Sequence, residues 1–334
     1  MAGAAMGGAE LFFERLCIAQ AGDGLDVLPV IRRNAGRAAR LRAGGVEAHE
    51  LAFGGRADLA TGLRLRRLLK RFQPRVVVAW MNRAARLAPR GDWVLAGRLG
   101  GFYDLSYYRR CDHLIGNTRG IVRWLVEQGW PAARAHYLPN FAVDIHGAAP
   151  RRPACLPPGV PFVLALGRLH RNKAFDVLIR AMVHVRGAHL VIAGEGPERP
   201  ALEKLARDLG VADRVHLPGW FDGTAGIVSA CDLLVCPSRH EPLGNVIIEA
   251  FSAVRPVVAA AAQGPVELIT DGGNGLLAPI EDDRALADAI SAVLADPALA
   301  ARLGQAGRDA FDRHYAQAPV LASWRRFLAD VKKV

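Results

Sequence analysis

The sequence predicts an α/β protein with two doubly wound, Rossmann-like domains. Short apolar runs of the β type alternate with stretches of helical periodicity, and the connections between them are short. The chain has 334 residues, 51% of them hydrophobic, which is enough for two domains with cores of their own. Five prolines in the twelve residues 150–161 predict a semi-rigid connector between the domains.

The second half of the chain shows the alternation most clearly, because its apolar runs are continuous, as buried parallel strands require. We predict strands at 162–166, 189–193, 215–217, 233–236 and from 257 onward. Helices are predicted between and after them, at 176–183, 201–209, 224–230, 246–253, 284–294 and 324–331.

The first half carries most of the positive charge. Residues 1–150 contain 22 Lys and Arg against 12 Asp and Glu, whereas residues 151–334 contain 21 against 20. Such a field attracts anionic partners, whether lipid headgroups, phosphorylated glycolipids or nucleic acid. We expect no nucleic acid, because the basic residues lack interleaved stacking aromatics and a binding motif.

The elements predicted in the first half include strands at 26–31, 46–53, 74–80 and 93–96 and helices at 37–42, 62–72 and 119–127. The helix at 62–72 is amphipathic, with Arg64, Arg67 and Arg71 on its polar face. Two interpretations stay open for this face: an ordinary solvated surface, or docking onto an anionic membrane.

The segment 233–253 is the centre of the predicted site. An apolar strand ends at Pro237-Ser238, a polar loop follows, and Gly244-Asn245 open a helix. A helix N-terminus suits phosphate, because its backbone N–H groups and the positive end of its dipole point outward. Glu241 in the loop and Glu249 in the helix can bracket a ligand that is anchored there.

Two cations precede this segment in the chain. Arg168 and Lys173 lie in the loop after the strand 162–166, so both can converge on one anionic group. A diphosphate is the kind of anion that such a pair would hold. Arg171, between them, is expected to face solvent.

Taken with its context, this segment resembles the E-x7-E signature of family-4 retaining glycosyltransferases of the GT-B fold. Glu241 and Glu249 are the two glutamates of the signature. Further segments follow the order and rough spacing of the family, at 167–173, 194–197, 264–267 and 271–277. The resemblance implies two Rossmann-like domains that face a cleft and a nucleotide-diphosphate sugar as the donor.

The resemblance also implies roles for individual residues. Arg168 and Lys173 match the contacts of the family to the donor diphosphate, and we expect both to act in catalysis. Glu241 matches the residue near the donor sugar, and Glu249 the residue that binds the ribose hydroxyls. The remaining donor-binding residues are predicted to be Gly194 and Glu195 beside the base or ribose, Gly244, Asn245 and Val246 at the helix start, and Gly7 and Gly8.

The chain departs from the family pattern at two places. Many members carry a histidine after the strand 93–96, whereas this chain has Gly100-Gly101 and then Asp104. We expect Asp104 to act on the acceptor hydroxyl as a substitute, with an N-cap of the following turn as the alternative. Only residues 1–6 precede Gly7, where the family has a full strand, so we expect a truncated first strand.

No metal or cofactor is expected. Asp282-Asp283 precede a helix, where acidic residues favour the dipole without any metal. The five cysteines form no disulfide framework, which fits a reducing cytoplasm, and Cys231 and Cys236, in or beside a strand, are expected to be small buried residues. No apolar run reaches the length of a bilayer span, and no secretory signal is recognised at the N-terminus.

The predicted organisation is an acceptor-binding domain at 1–148, a linker at 149–160, a donor-binding domain at 161–318 and, at 319–334, a helix that packs back toward the first domain. The predicted activity is transfer of a sugar, with retention, from a UDP- or GDP-linked donor to a glycan or glycolipid of the cell envelope, such as lipopolysaccharide. The alternatives are a GT-B sugar-nucleotide epimerase or glycan synthase, and a non-catalytic subunit that binds a nucleotide sugar. We expect a cytoplasmic enzyme that is peripheral on the inner face of an anionic membrane.

Overall fold

The chain divides into two compact units, each built around parallel β-strands. The computed structural model describes residues 1–3, 7–54, 58–221 and 223–334. The first unit comprises Met1–Asn140 and Gln317–Val334, and the second comprises Phe141–Ala316. The segment 149–160 therefore lies within the second unit.

In the described residues, the main segment of the first unit, Met1–Asn140, contains six short strands and five α-helices. Its strands are β1 (Val30–Arg32), β2 (His49–Leu51), β3 (Val76–Trp80), β4 (Val94–Leu99), β5 (His113–Gly116) and β6 (Ala135–Tyr137). Its helices are α1 (Gly8–Gly22), α2 (Ala35–Ala43), α3 (Leu59–Phe72), α4 (Met81–Leu87) and α5 (Arg119–Glu127).

The second unit continues the alternation. Its strands are β7 (Phe162–Leu166), β8 (His189–Ala193), β9 (Val215–Gly219), β10 (Leu233–Cys236), β11 (Val257–Ala260) and β12 (Leu276–Ala278). Its helices are α6 (Phe175–Met182), α7 (Arg199–Asp208), α8 (Ala225–Ala230), α9 (Asn245–Ser252), α10 (Pro265–Leu268), α11 (Asp283–Ala295) and α12 (Pro297–Ala310). The last helix, α13 (Gln317–Asp330), belongs to the first unit.

The strands of the first unit form two separate parallel sheets in the described part of the chain, one of β1 and β2 and one in the order β3-β4-β5-β6. Met1 extends the smaller sheet: its amine donates to the Val30 carbonyl at 2.7 Å, and the Arg32 amide donates to the Met1 carbonyl at 2.9 Å. That is the hydrogen-bond pattern of a parallel pair. Residues 4–6 of the predicted first strand lie outside the described residues, and its truncation stays a prediction.

An apolar pocket of about 500 Å³ is lined by both of these sheets and by α13. Val76, Val77 and Val78 of β3 line it and are only half-buried. β1 and β2 are shorter than the strands predicted at 26–31 and 46–53. Among the described residues they pair only with each other and with Met1.

The second unit has one continuous parallel sheet in the order β12-β11-β10-β7-β8-β9. From β7 the chain builds outward to β8 and β9, and it then returns to the other side of β7 with β10, β11 and β12. Both faces of the sheet are covered by apolar clusters of buried helices and strands. The order in which the chain adds strands to the sheet reverses between β7 and β10. In open α/β sheets, ligands bind at such a point, outside the carboxyl ends of the strands.

Each unit contains a pair of histidines that join neighbouring strands. His113 of β5 and His136 of β6 have ring nitrogens 2.9 Å apart, and so have His189 of β8 and His216 of β9. In each pair one ring nitrogen donates and the other accepts.

Candidate functional site

The loops that follow β7 and β10 meet at the point where the sheet order reverses. The first loop carries Arg168 and ends in a 3-10 turn, Arg171–Lys173; the second carries Ser238 and Glu241 and leads to α9. Leu233 and Leu234 of β10 pair directly with Val163 and Leu164 of β7, so the two loops leave adjacent strand ends. Sheet topology therefore brings together residues that are far apart in the chain.

An ion pair lies at the centre of this arrangement. The Lys173 ammonium donates to Glu241 Oε2 at 2.5 Å, and the Ser238 hydroxyl donates to the same oxygen at 3.4 Å. Burial lowers the pKa of Lys173, but the attraction of the Glu241 carboxylate outweighs it and holds the pKa above the usual value. The site thus keeps a protonated cation beside a carboxylate, which is the charge pattern for an anionic ligand with hydroxyl groups.

Arg168 is the second predicted cation of this site. Its side chain is exposed, and no ion pair of it occurs in the part of the chain that the structure describes. The loop that carries it is fixed through its backbone, because the Gly167 amide donates to the Ala193 carbonyl at 3.1 Å and the Leu169 amide to the Glu195 carbonyl at 2.9 Å. Arg168 is therefore a charged side chain on an anchored loop.

Glycines let these loops pack backbone against backbone. A Cβ at Gly194 would lie 1.9 Å from the Gly167 carbonyl oxygen, and one at Gly196 would lie 2.2 Å from the Leu169 carbonyl oxygen. A Cβ at Gly264 would lie 2.3 Å from the Leu243 carbonyl oxygen. Any side chain at these positions would push the loops apart, so the glycine motifs set the shape of the site.

Helix α9 begins at Asn245, directly after Gly244, whose φ of 95° is in the left-handed region. Gly244 gives the helix no side-chain cap, and Asn245 and Val246 are half-buried in the first turn. Glu249 is half-buried in the second turn of the same helix. The helix start thus lies where the sequence predicts it, between the two glutamates of the motif.

Glu195 is held by an ion pair. Arg199, one helical turn later, donates to both of its carboxylate oxygens at 2.6 and 2.9 Å and also to the Leu217 carbonyl at 2.9 Å. The hydrogen bond from Arg199 lowers the pKa of Glu195. The loop after β8 is therefore tied to the end of β9.

The candidate residues of the first unit lie on different elements. Gly7 is the N-cap of α1 and Gly8 its first residue; a Cβ at Gly7 would lie 2.5 Å from Glu10 Oε2. Asp104 is the N-cap of a 3-10 turn, where both its oxygens accept bonds from Ser106, at 2.8 and 2.7 Å. These bonds lower the pKa of Asp104 and make it a weaker base; its action on an acceptor stays a prediction.

Sequence reasoning left one group at this site unassigned. Arg239 adjoins the predicted residues, yet its partners Asp176 and Glu281 are distant in sequence. An arginine in a loop that also carries a carboxylate motif is the signal that could have drawn attention to it.

Metal-ligand clusters and membrane-spanning helices are both absent from the described residues. Across residues 1–3, 7–54, 58–221 and 223–334, no group of three His, Cys, Asp or Glu side chains is arranged to hold a metal ion. None of the helices in that part of the chain combines the length and the apolar content that crossing a bilayer requires. Four of the five cysteines are buried, and Cys155 is exposed.

Comparison with known proteins extends these observations. Residues 160–296 match the family model of glycosyl transferases group 1, and residues 7–140 match that of the glycosyl transferase 4-like domain. The lipopolysaccharide core biosynthesis glycosyltransferase LpsE of Rhizobium meliloti is 34% identical over 97% of this chain and 96% of its own length. LpsD of the same organism, with the same description, is 34% identical over 93% of this chain and 92% of its own length.

A solved structure supports the fold. Anabaena HepE in complex with UDP superposes with a TM-score of 0.84 at 19% identity, over 99% of this chain and 98% of its own. Both the predicted α/β class and the GT-B fold are thereby confirmed. The long match to named transferases favours transfer over the epimerase, synthase and non-catalytic alternatives.

Proposed function

Because the chain belongs to the group 1 glycosyltransferases and is itself a glycosyltransferase, we propose that it transfers a sugar from a UDP-linked donor to the core of lipopolysaccharide, with retention of the anomeric configuration. The observation that carries the proposal is the ion pair of Lys173 and Glu241 at the reversal point of the sheet. The LpsE description supports the acceptor, and the UDP complex of HepE supports the base.

The second unit supplies the donor contacts in this proposal. Lys173 and Arg168, with the N-terminus of α9, hold the diphosphate, so Lys173 exchanges the Glu241 carboxylate for phosphate oxygens when the donor binds. Glu249 accepts hydrogen bonds from the ribose hydroxyls, and the Gly194-Glu195 loop lies beside the base or ribose. Glu241, released from Lys173, is then free to face the sugar.

Catalysis in this scheme acts on the leaving group. The bond from the anomeric carbon to the diphosphate oxygen breaks, negative charge grows on the diphosphate, and the two cations stabilise it. We propose that Lys173 and Arg168 supply the positive charge for that step and that no metal takes part. The acceptor hydroxyl attacks on the face that the leaving group vacates, and its proton passes to an oxygen of the departing diphosphate.

A thermal-shift panel of UDP, GDP, ADP and CMP tests the donor. Ligand at about 100 times its dissociation constant stabilises a protein by about 2.7 kcal/mol. We expect UDP to stabilise the wild type and the control Arg284→Gln, whose exposed side chain pairs with Asp288 on α11 and contacts His184. We expect Lys173→Ala to lose the effect. A shift that survives this change would overturn the assignment of the cation.

Retention is tested on the product. With UDP-sugar and a truncated lipopolysaccharide core as acceptor, proton NMR of the new anomeric centre should show the configuration of the donor. The opposite configuration would reject the retaining mechanism, and donor hydrolysis without transfer would reject the proposed acceptor.

We also propose that α3 holds the enzyme at an anionic membrane on the cytoplasmic side. Leu63 is 60% exposed, and the basic residues that surround it are exposed without an ion pair in the described chain; they are Arg64, Arg66, Arg67, Lys70 and Arg71. Each cation near such a surface contributes about 1 kcal/mol. Co-sedimentation with phosphatidylglycerol vesicles should exceed that with phosphatidylcholine and should fall in Arg67→Gln/Arg71→Gln; equal binding to both lipids would reject the proposal.

A further inference from the structure

Arg239 has every N–H of its guanidinium engaged. It donates to both oxygens of Asp176, at 2.8 and 2.7 Å, to both oxygens of Glu281, one of them at 3.0 Å, and to the Arg171 carbonyl at 2.8 Å. An arginine has five such donors, and all five are used here. The side chain is only 19% exposed. Arg239 therefore has no donor left for a ligand.

The backbone beside Arg239 also connects these two loops. The Arg239 amide donates to the Asn172 carbonyl at 2.9 Å, and the His240 amide reaches the same oxygen at 3.3 Å. Side chain and backbone together fasten the loop of Glu241 to the turn of Lys173. After that turn, the chain passes through Ala174, buried with a φ of 52°, a conformation that is costly for a residue other than glycine.

Charge balance gives a second reason to exclude a direct role. The positive charge of Arg239 is offset by two carboxylates, and Asp176 also receives Arg180 at 2.6 Å. The side chains of Asp176 and Glu281 are 31% and 52% exposed, against 19% for Arg239, so the carboxylates of the cluster would repel a diphosphate. The cluster is therefore suited to hold structure in place and not to hold an anion.

We propose that Arg239 is the positioning residue of the donor site, setting the separation of Lys173 and Glu241 by clamping their two loops together. The inference rests on the proposed function, in which these two residues contact the donor. The clamp requires the planar guanidinium of an arginine, because a lysine could keep the charge but could replace only some of the five hydrogen bonds.

The test compares Arg239→Gln and Arg239→Lys with Arg180→Gln. Arg180 contacts the same Asp176 but touches neither loop, and its side chain is 42% exposed, so it is the matched control. UDP binding is measured by calorimetry, and kcat and KM by release of UDP. A misplacement of about 1 Å can lower a catalytic rate about a hundredfold. We expect both Arg239 variants to lower kcat/KM about tenfold to a hundredfold and to raise the Kd for UDP, and Arg180→Gln to leave both unchanged.

The double variant Lys173→Ala/Arg239→Gln separates positioning from a direct contact. If Arg239 acts through Lys173, the double variant binds UDP no more weakly than Lys173→Ala alone. Additive losses would overturn the inference, and so would full activity in both single Arg239 variants. If Lys173→Ala itself binds UDP normally, the proposed donor site fails instead.

Folding defects are identified separately. Circular dichroism and melting temperature of each variant show whether it is folded, and Glu281→Gln supplies a milder change, since it removes part of the clamp from the exposed side. A folded Glu281→Gln should bind UDP with an affinity between the wild type and Arg239→Gln. Wild-type binding in a folded Arg239→Lys would overturn the requirement for the arginine fork.

Discussion

The two units use the same kind of parallel strand but differ in how completely they are packed. In the second unit the six described strands form one sheet, and its loops interlock through glycine contacts at Gly194 and Gly264. In the first unit the strands fall into two sheets, with an apolar pocket of about 500 Å³ against them. The difference indicates that the loops of the second unit are fixed by close backbone packing, whereas the first unit keeps unfilled apolar space.

The charges at the site of the second unit also differ from those on α3 of the first unit. Around the site of the second unit, the charges of Lys173, Arg199 and Arg239 are each matched by carboxylates. The cations on α3 of the first unit are exposed and have no such partner among the described residues. Paired charges hold a fixed geometry for one ligand, while unpaired charges on a helix suit a broad anionic surface.

The largest effect expected from this comparison is the cost of a methyl group at Gly194. Gly194→Ala places a Cβ 1.9 Å from a backbone oxygen and should lower the free energy of unfolding by about 3 kcal/mol. Gly62→Ala in α3 meets nothing within 4 Å and should raise it by about 0.5 to 1 kcal/mol. Urea denaturation measures both; equal small effects would mean that the loops of the second unit are less tightly packed than described.

The next effect concerns pH and the histidine pairs. Burial, together with the charge of His113, lowers the pKa of His136 from 6.5 to about 4. The unfolded chain then binds more protons than the folded one between these values, so stability is full above pH 6.5 and falls as the pH drops toward 4. We expect a loss of about 1 to 2 kcal/mol, since the ring is partly exposed.

The histidine effect is isolated by variants. Denaturation of His136→Gln should show a flatter dependence between pH 6.5 and 4 than the wild type. His216 in the second unit has its pKa lowered in the same direction, mainly by burial, so His216→Gln should show the same sign. Parallel curves for wild type and His136→Gln would contradict the shifted pKa.

The last comparison adds one methylene to each sheet. Val78→Ile on β3 extends into the apolar pocket and should stabilise the protein by about 0.8 kcal/mol. Val163→Ile on β7, where the side chain is fully buried in a filled core, should destabilise it by about 1 to 3 kcal/mol before relaxation. Melting curves measured side by side decide the sign, and destabilisation by both changes would show that the pocket cannot accept the methylene.

The strands of the second unit could be predicted from the sequence because a strand that is buried on both faces is apolar along most of its length. β7 and β10 are uninterrupted apolar runs, β8 is apolar after His189, and the bounds of all three match the predicted ones. β4 extends beyond its predicted end at residue 96, through Arg98. That arginine is buried because it stacks on Phe12 and Trp80, with distances of 4.9 and 4.7 Å to the ring centroids, and no local pattern reveals such contacts.

The local elements of the site could be predicted from the sequence, but the contacts between its residues could not. The motif glycines and the helix start at Gly244 follow from local chemistry. The bond of Lys173 to Glu241, and those of Arg239 to Asp176 and Glu281, join residues dozens of positions apart. Such pairs depend on which strands become neighbours, so only the three-dimensional arrangement identifies them.

The final helix gives the first unit an unusual dependence on the order of synthesis. α13 lies at the far end of the chain, yet Trp324 is buried in the first unit, Arg325 pairs with Asp23, and His113 contacts the carbonyl of Lys332. On the ribosome, every residue of the second unit is made before these contacts can form. The unit whose synthesis begins first is therefore the unit that is completed last. Damage to the C-terminus removes packing contacts from the N-terminal unit.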